Sequence, residues 1–355
     1  MTPEEYARCA RRISASLQLE PGERVLIKLD PRTFAPLIEP LQQEIRKSGA
    51  IISAAVLAED TRASSEQELA ALRALFNEAD VFIWLPELNQ GNRPALARAI
   101  IEWLDARRGR AVHFHWHSGS YPIGDMPIPP QDIVDQTYLA ALNEDPAELD
   151  RQHRAVMGML RSDDVHVTTP EGTDLRFNVG DRPFSSQIGD ASRQRMQSAR
   201  TRIDRDVELP AGVLRVAPLE TTAEGTVFLR VWRPVFTQGR NLLLRFRNGH
   251  LERIDGENAA AVLDELTAAG GAARMFREFA LGFSRSLAVR DDHPFIAYYG
   301  YGAGVVRLSL GDNEEMGGAN RGGGVYWNFL HNASVSVGNT SLVTAGALCE
   351  RPGRS

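Results

Sequence analysis

Residues 24–57, RVLIKLDPRTFAPLIEPLQQEIRKSGAIISAAVL, carry the pattern that decides the fold of the first half of the chain. They begin with an apolar, branched run, Arg24–Leu29, which is typical of a buried strand. Apolar residues then recur at helical spacing over residues 34–47, and Gly49 ends the predicted helix. A second strand, Ile51–Leu57, follows. This order predicts a strand–helix–strand unit with parallel strands.

The same alternation continues along the chain. Strands are predicted at residues 81–85 and 111–117, and helices at residues 65–76 and 94–107. Alternating strands and helices indicate a parallel, layered α/β sheet, in which ligands bind beyond the carboxyl ends of the strands. His117 stands at such an end, so we take it as a candidate ligand-binding residue.

The pattern of predicted elements changes after a predicted helix at Pro146–Leu160. Short strands separated by turn signals follow, and Asn248-Gly249 between two apolar runs is a strong hairpin signal. We therefore expect two domains: an α/β domain at residues 1–163, and an α+β domain with antiparallel strands at residues 164–355.

Composition and charge exclude several classes of partner. The chain has 355 residues and a formal net charge of -6, with Arg scattered among Asp and Glu, so we expect no nucleic-acid partner. We also expect no membrane partner, because no apolar run is long enough to cross a bilayer and no signal peptide is visible. The two cysteines, Cys9 and Cys349, lie near opposite ends of the chain. A reducing, cytoplasmic location is expected.

Five strings in the second half carry a family resemblance. They are TPEGTDLRF (169–177), LPAGVLRVAP (209–218), AEGTV (223–227), LLLRFRNGHLERIDG (242–256) and REFALGF (277–283). Their order and spacing resemble those of the aminopeptidase T-type metallopeptidases and the related 2,5-dihydroxypyridine dioxygenases. The resemblance implies an α/β amino-terminal domain, an α+β carboxyl-terminal domain and a homodimer. It also implies a metal site in the second domain, with two metals in the peptidases and one non-haem iron in the dioxygenases.

The resemblance also implies which metal ligands this chain has kept. Glu278 stands at a ligand position, whereas Val213 stands where the peptidases have Glu. Val325 and Trp327 fall at a His-x-Asp pair, and Arg307 falls near a further His. Val and Trp offer no donor atoms and Arg repels a cation. We therefore expect a degenerate metal site, no metal cofactor, and neither aminopeptidase nor ring-cleaving activity there.

Glu278 has two interpretations. It is a buried acid that binds an amine or acts as a general base, which makes it the candidate catalytic residue. Alternatively, it is a residual carboxylate satisfied by Arg307, Arg277 or the backbone. The sequence leaves both open.

The glycine-rich segment 317–328, GGANRGGGVYWN, lacks the ending of a phosphate-binding loop, but glycines suit a loop that lines a pocket. Its polar and aromatic residues are candidate ligand-binding residues, together with Arg307: Asn320, Arg321, Tyr326, Trp327 and Asn328. The aromatic residues either fill the former metal site or form a stacking wall for a ligand.

A third candidate is the alternation of His113, His115 and His117, which share one face of a strand. They could converge on a metal or an anion, or be ordinary hydrogen-bonded histidines where a strand leaves the sheet.

These observations favour a metal-free protein that binds a peptide or a small amino-containing ligand, as an accessory component of peptide tailoring or natural-product biosynthesis. The alternative is an enzyme of the same fold. It would use Glu278 for acid–base catalysis, or a metal at a rebuilt site, for example through His115 and His117, as an aminopeptidase or ring-cleaving dioxygenase.

Overall fold

The structure is a computed structural model that describes residues 1–57, 65–87, 93–116, 118–232 and 237–349. Its helices α1 to α8 are, in chain order, Pro3–Leu17, Ala35–Lys47, Glu66–Asn77, Pro94–Asp105, Gln131–Ala141, Pro146–Leu160, Arg193–Met196 and Ala259–Ala269. Short 3-10 helices are Arg202–Arg205, Tyr298–Gly300 and Glu314–Met316. Strands β1 to β10 are Arg24–Leu29, Ile51–Leu57, Val81–Trp84, Arg110–Phe114, Tyr121–Pro122, Val165–Thr168, Asp174–Phe177, Phe184–Gln187, Asp206–Leu209 and Val213–Val216. Strands β11 to β20 are Glu224–Trp232, Gly239–Arg247, His250–Glu257, Phe276–Gly282, Phe295–Ile296, Val306–Gly311, Val325–Leu330, Ser334–Val337, Thr340–Thr344 and Ala347–Leu348.

The chain divides into two compact units. Unit 1 contains Met1–Ser118, Tyr138–Asn143 and Gln187–Ala211, and unit 2 contains Gly119–Thr137, Glu144–Ser186 and Gly212–Ser355.

Unit 1 is built around a parallel sheet in the order β2-β1-β3-β4-β9. The predicted strand–helix–strand unit is confirmed, since β1 pairs in parallel with both β2 and β3. Helices α3 and α4 pack on this sheet through an aromatic cluster in which Phe76 contacts Phe82 and Trp103 at 5.0 and 5.3 Å between ring centroids. These rings belong to a larger buried cluster of mostly aliphatic side chains, and burial of the whole cluster stabilises this side of the sheet.

The last strand of this sheet is not evident in the sequence. Strand β9 pairs in parallel with β4 and places Glu208 opposite His113. Its residues, Asp206–Leu209, include two acids and are followed directly by Pro210, so no apolar run in the sequence predicts this strand. The parallel sheet therefore takes a strand from the part of the chain for which antiparallel pairing was expected.

A buried ion pair fixes the start of β4. Arg110 donates two hydrogen bonds to the Glu23 carboxylate, at 2.7 and 2.8 Å. The same guanidinium donates to the carbonyls of Ala191 and Leu17, at 2.7 and 3.2 Å. Four bonds from one planar group connect segments that are distant in sequence.

Unit 2 contains two larger sheets. The first, in the order β17-β16-β14-β10-β8, is called the Glu278 sheet here because β14 carries that residue. The second runs β13-β12-β11-β7-β6-β18-β19-β20. The expected antiparallel strand pairing is confirmed, because the pairs β10–β14, β14–β16 and β16–β17 are antiparallel. The α+β character of this part is therefore as predicted.

The predicted hairpin joins β12 and β13. Its turn residues, Asn248 and Gly249, have φ values of 48° and 72°, as a tight two-residue turn requires. A Cβ atom on Gly249 would lie 1.5 Å from the Glu220 carbonyl oxygen, so glycine is needed at this position for space as well as for conformation.

Among the described residues, none of the helices combines the length and the apolar character that crossing a membrane would need.

Candidate functional site

Two rows of side chains share one face of the Glu278 sheet. Glu278 of β14 lies opposite Ser309 of β16, which lies opposite Trp327 of β17. Because directly opposed residues of antiparallel strands project to the same side, these three residues lie side by side.

The second row crosses four strands. Arg215 of β10 lies opposite Ala280 of β14, which lies opposite Arg307 of β16, which lies opposite Phe329 of β17. The small side chain of Ala280 leaves room between the two arginines. The sheet register therefore brings two guanidinium groups to the same carboxylate.

The Glu278 carboxylate is fully buried and accepts hydrogen bonds on both oxygens. Oε1 accepts from Arg215 Nε at 2.5 Å and from Arg307 Nη2 at 2.8 Å. Oε2 accepts from Arg277 Nη1 and from the Ser309 hydroxyl, the latter at 3.0 Å. A carboxylate offers about four acceptor positions, so this group has none left for a metal ion or a substrate. Of the two interpretations of Glu278, this geometry supports the ion-paired residual carboxylate.

Glu315 completes the cluster. Its Oε1 accepts from Arg277 Nη2 at 2.5 Å and from Arg215 Nη2 at 3.1 Å. Arg215, Arg277 and Arg307 thus face two carboxylates, Glu278 and Glu315, and three positive minus two negative charges leave a surplus of one positive charge. We call these five residues the arginine cluster.

The arginines also determine the protonation state of Glu278. Burial by itself would raise the pKa of this carboxyl group, but attraction to Arg215, Arg307 and Arg277 outweighs burial and holds the pKa well below 4.5. Glu278 is therefore ionised at neutral pH. A carboxylate with so low a pKa is a poor general base, since it has little affinity for a proton.

The donor set does not fit the metal that the sequence resemblance implies. Val213, at one expected ligand position, is buried opposite Gly282. Val325 and Trp327, at two others, provide no coordinating atom. Over the described ranges, no group of three or more His, Cys, Asp or Glu residues is arranged to hold a metal ion. Buried guanidinium groups stand around Glu278, and they repel cations.

A cleft of about 860 Å³ lies in unit 2 and is lined in part by Trp327, from the same face of the Glu278 sheet as the cluster. This volume lies in the upper part of the range that is common for small-molecule sites. Residues of β17, of β11 and of the segment 121–126 line it, including Trp327, Asn328 and Phe329. Two of the predicted ligand-binding residues, Trp327 and Asn328, therefore lie on a cavity wall.

Aromatic side chains form one wall of this cleft. Tyr121 and Phe329 contact each other with tilted rings, 4.5 Å apart between ring centroids, and both line the cavity. Trp327 is 36% exposed and is held edge-on by Tyr299 at 5.2 Å. The Arg307 guanidinium lies 5.9 Å from the centroid of the Trp327 ring. Arg307 does not line the cleft, but it connects the arginine cluster to the aromatic wall.

Polar groups stand elsewhere along the cleft. The exposed carboxylate of Glu171 accepts from Asn332 Nδ2 at 2.8 Å. Asp125, also exposed, accepts from Arg240 at 2.8 Å. Burial lowers the pKa of His331 and outweighs the nearby Glu171, which acts in the opposite direction, so its imidazole is neutral at pH 7. Carboxylates and aromatic rings together suit a cationic amine on a partly apolar ligand.

The other candidates from the glycine-rich segment lie away from the cleft. Tyr326 points to the opposite face of β17, where it is buried and stacks on Trp232 at 6.0 Å. Asn320 is buried and donates to the carbonyl of Phe276 at 3.0 Å. Arg321 donates to the carbonyl of Gly318 at 2.9 Å. Asn320 and Arg321 therefore hold the loop together.

Two of the three alternating histidines lie at the carboxyl end of the parallel sheet in unit 1, and His117 lies outside the described residues. The rings of His113 and His115 are 3.6 Å apart between centroids, and His113 stacks on Trp84 at 4.2 Å. His115 Nδ1 lies 3.3 Å from the Ser118 hydroxyl. Burial lowers the pKa of His115 to about 3, and burial, with smaller effects of His115 and Lys28, holds the pKa of His113 well below 6.5. Both imidazoles are neutral at pH 7.

Several residues of the site were not identified from the sequence. Arg215 lies two residues beyond Val213 in the same strand, so strand alternation would have placed it on the same face. Glu315, Tyr121 and Glu171 reach the site from separate segments, and nothing local in the sequence marks them.

Two solved structures share this fold over nearly the whole chain. The structure of 2,5-dihydroxypyridine dioxygenase from Pseudomonas putida KT2440 matches with a TM-score of 0.66 and 17% identity, covering 99% of this chain and 99% of that chain. Wild-type AmpT from Thermus thermophilus matches with a TM-score of 0.64 and 16% identity, covering 99% of this chain and 98% of that chain. No protein-family model matches the chain. No curated protein sequence matches it either.

At this level of identity the likeness shows the fold alone. It confirms the two-part fold that the resemblance in the sequence implied, while the activities of the two neighbours remain statements about those proteins.

Proposed function

We propose that this protein binds a short peptide or a small amino-containing ligand in the unit 2 cleft and needs no metal ion to do so. The observation that carries the proposal is the state of Glu278, whose acceptor positions are taken by Arg215, Arg277, Arg307 and Ser309. The residue that the resemblance implies as a metal ligand is thereby held in an ion-paired cluster, while Trp327, in the same row of the sheet, lines a cleft.

The chemistry of the cleft supports a ligand that is partly aromatic or apolar and carries an amine. Trp327, Phe329 and Tyr121 offer ring faces and edges for stacking. Glu171 and Asp125 offer carboxylates to an ammonium group at exposed positions. A protein with this site is suited to an accessory role in peptide tailoring or natural-product biosynthesis, where a substrate or product must be held without being cleaved.

Thermal unfolding in the presence of candidate ligands tests the proposal. Purified protein in EDTA would be screened against small aromatic amines and against peptides of two to six residues. A ligand that binds only the folded state raises the melting temperature by mass action. We expect a subset of the panel to do so, and Trp327→Ala to abolish the shift. Ile101→Ala, which removes an exposed apolar side chain of α4 in unit 1, is the matched control.

Two results would overturn the proposal. One is the absence of any shift across the whole panel. The other is a shift that appears only when zinc, manganese or ferrous iron is added, because the ligand would then require a metal.

A further inference from the structure

Strand edges, rather than strand faces, border the unit 2 cleft on two sides. Consecutive residues line it, namely residues 327–330 of β17 and residues 228–231 of β11. Successive side chains of a strand point to opposite faces, so one face contributes every second residue. An unbroken run of lining residues therefore means that the edge of each strand, with its backbone, faces the cavity.

Within the described ranges, one edge of strand β17 is without a strand partner. It ends the order of the Glu278 sheet, with β16 as its strand partner among the described residues. An edge strand presents a row of backbone N–H and C=O groups to whatever lies beside it.

The hydrogen-bond pattern of β16 shows which groups of β17 point outwards. The N–H of Asp312 donates to the Gly324 carbonyl at 3.0 Å, which extends the β16–β17 ladder. The N–H of Gly311 donates the other way, to Met275 at 3.0 Å. Along an antiparallel pair, residues that exchange backbone hydrogen bonds with the partner strand alternate with residues that do not. Asp312 and Gly324 form a bonded pair, so the next pair in register, Gly311 and Val325, is not bonded across the two strands. The outward positions of β17 are therefore Val325 and every second residue after it, Trp327 and Phe329.

The other border is the second half of β11. This strand pairs with β12 as far as Trp232, but its pairs with β7 run only from Glu224 to Thr226. Beyond Thr226, the side of β11 that faces away from β12 has no strand partner in the part of the chain that the structure describes. Residues 228–231 of this segment face the cleft.

We infer that the ligand of this cleft is an extended peptide segment that adds a strand to the open edge of β17, with β11 as the opposite wall. The inference rests on the proposed function and narrows its ligand class to a peptide backbone. Backbone groups that repeat every two residues along β17 complement the same repeat in a peptide. The outward positions from Val325 to Phe329 span roughly 13 Å, which matches a segment of about five residues.

The side chains of the bound segment would alternate between two environments. Those on the Trp327 side meet Trp327 and Phe329, beside the arginine cluster, and apolar or aromatic residues fit there. The exposed Glu171 carboxylate offers a partner for a basic side chain or an amino terminus. Pairing of backbones supplies affinity in this mode, and the alternating side-chain contacts supply selectivity.

Backbone methylation of a peptide tests this inference. A degenerate library of synthetic hexapeptides would be selected on the immobilised full-length protein. The tightest binder would then be resynthesised with one N-methyl group at each position in turn, and dissociation constants would be measured by titration calorimetry. We expect methylation at alternate positions to weaken binding at least about tenfold and methylation at the intervening positions to have little effect, because only every second N–H faces β17.

The other outcomes distinguish the inference from the proposed function. If the effects of methylation do not alternate along a hexapeptide whose binding still requires Trp327, strand addition is overturned. The proposed function would still stand in that case. Binding of a small aromatic amine in a Trp327-dependent way, without any hexapeptide binder, would likewise overturn strand addition and leave the proposed function standing. Absence of binding by both kinds of ligand would overturn both.

Discussion

Arg307 Nη2 donates to Glu278 Oε1 over 2.8 Å, from one strand of the Glu278 sheet to the next. The sequence resemblance identifies Glu278 as a metal ligand, and in this structure a guanidinium group occupies its coordination sphere. Arg307 also lies over the Trp327 ring, so the same side chain supports the wall of the cleft. The arginine cluster and the aromatic wall of the cleft are thus connected through one side chain.

Glu278→Gln should destabilise the protein strongly. The substitution leaves Arg215, Arg277 and Arg307 buried with only the partly exposed Glu315 as a counter-charge. Removal of one partner from a buried ion-pair group costs about 3 to 5 kcal/mol in the free energy of unfolding. Urea denaturation at pH 7 measures the loss. The control is Glu314→Gln on the surface, which should change stability little, and an equal effect of both variants would contradict the account of the cluster.

Neighbouring residues of β17 should respond in opposite ways to truncation. Trp327→Ala should cost less stability than Tyr326→Ala, because the Trp327 side chain is 36% exposed, and should weaken ligand binding on the order of 30-fold or more. Tyr326→Ala should cost about 3 kcal/mol of stability, because that ring is buried against Trp232. Paired denaturation and calorimetry measure both effects. Loss of stability in Trp327→Ala without loss of affinity would mean that the ring belongs to the core.

Arg110→Lys should weaken unit 1. Lysine cannot reproduce the four bonds that the guanidinium donates to Glu23, Ala191 and Leu17, and we expect a loss of about 1 to 3 kcal/mol in the free energy of unfolding. The matched control is Arg73→Lys, since Arg73 also binds a carboxylate, Glu102, through two bonds at 2.7 Å but on the surface. Equal effects of the two variants would contradict the role given to burial.

The stability should fall as the pH falls from 6.5 towards 4.5. The unfolded chain takes up a proton on each imidazole near pH 6.5, whereas burial lowers the pKa of folded His115 to about 3. In this range the unfolded state binds more protons, so the free energy of unfolding decreases by up to about 1.4 kcal/mol per pH unit for one such histidine.

Glu278 contributes to the pH dependence of the stability in a different pH range. Its folded pKa is lowered well below 4.5, so its contribution is fully present above pH 4.5 and is lost as the pH falls further.

His115→Gln isolates the histidine contribution. Denaturation at several pH values between 4.5 and 6.5 should give a shallower pH dependence of the free energy of unfolding than in the wild type. Ile101→Ala removes no titrating group and should keep the wild-type slope. An unchanged slope in His115→Gln would mean that this imidazole is protonated in the folded state.

The fold could be predicted where the local sequence decides the structure. The run Arg24–Leu29 is a buried central strand, and Asn248-Gly249 forms the hairpin turn. Strand β9 could not be predicted, because its four residues gain their place by pairing with β4 and have no apolar pattern of their own. Pairing between distant segments is a property of the tertiary structure, and a single sequence does not display it.

The site could be predicted only in part, for a related reason. Trp327 lies on the cleft and Tyr326 does not, although both stand in the same aromatic string, because successive residues of a strand face opposite ways. The resemblance located Glu278, but the number of its arginine partners depends on the register of β10, β14 and β16. That register follows from packing over the whole sheet.

The central claim is that ligand binding in this fold proceeds beside an arginine-bound carboxylate without a metal. The most direct test is the metal content of the wild-type protein. Plasma mass spectrometry would be carried out on protein that has been incubated with zinc, manganese or ferrous iron and then desalted. We predict well below one equivalent of any metal per chain, in protein that still binds its ligand. One retained equivalent of metal per chain, with ligand binding lost on chelation, would contradict the claim.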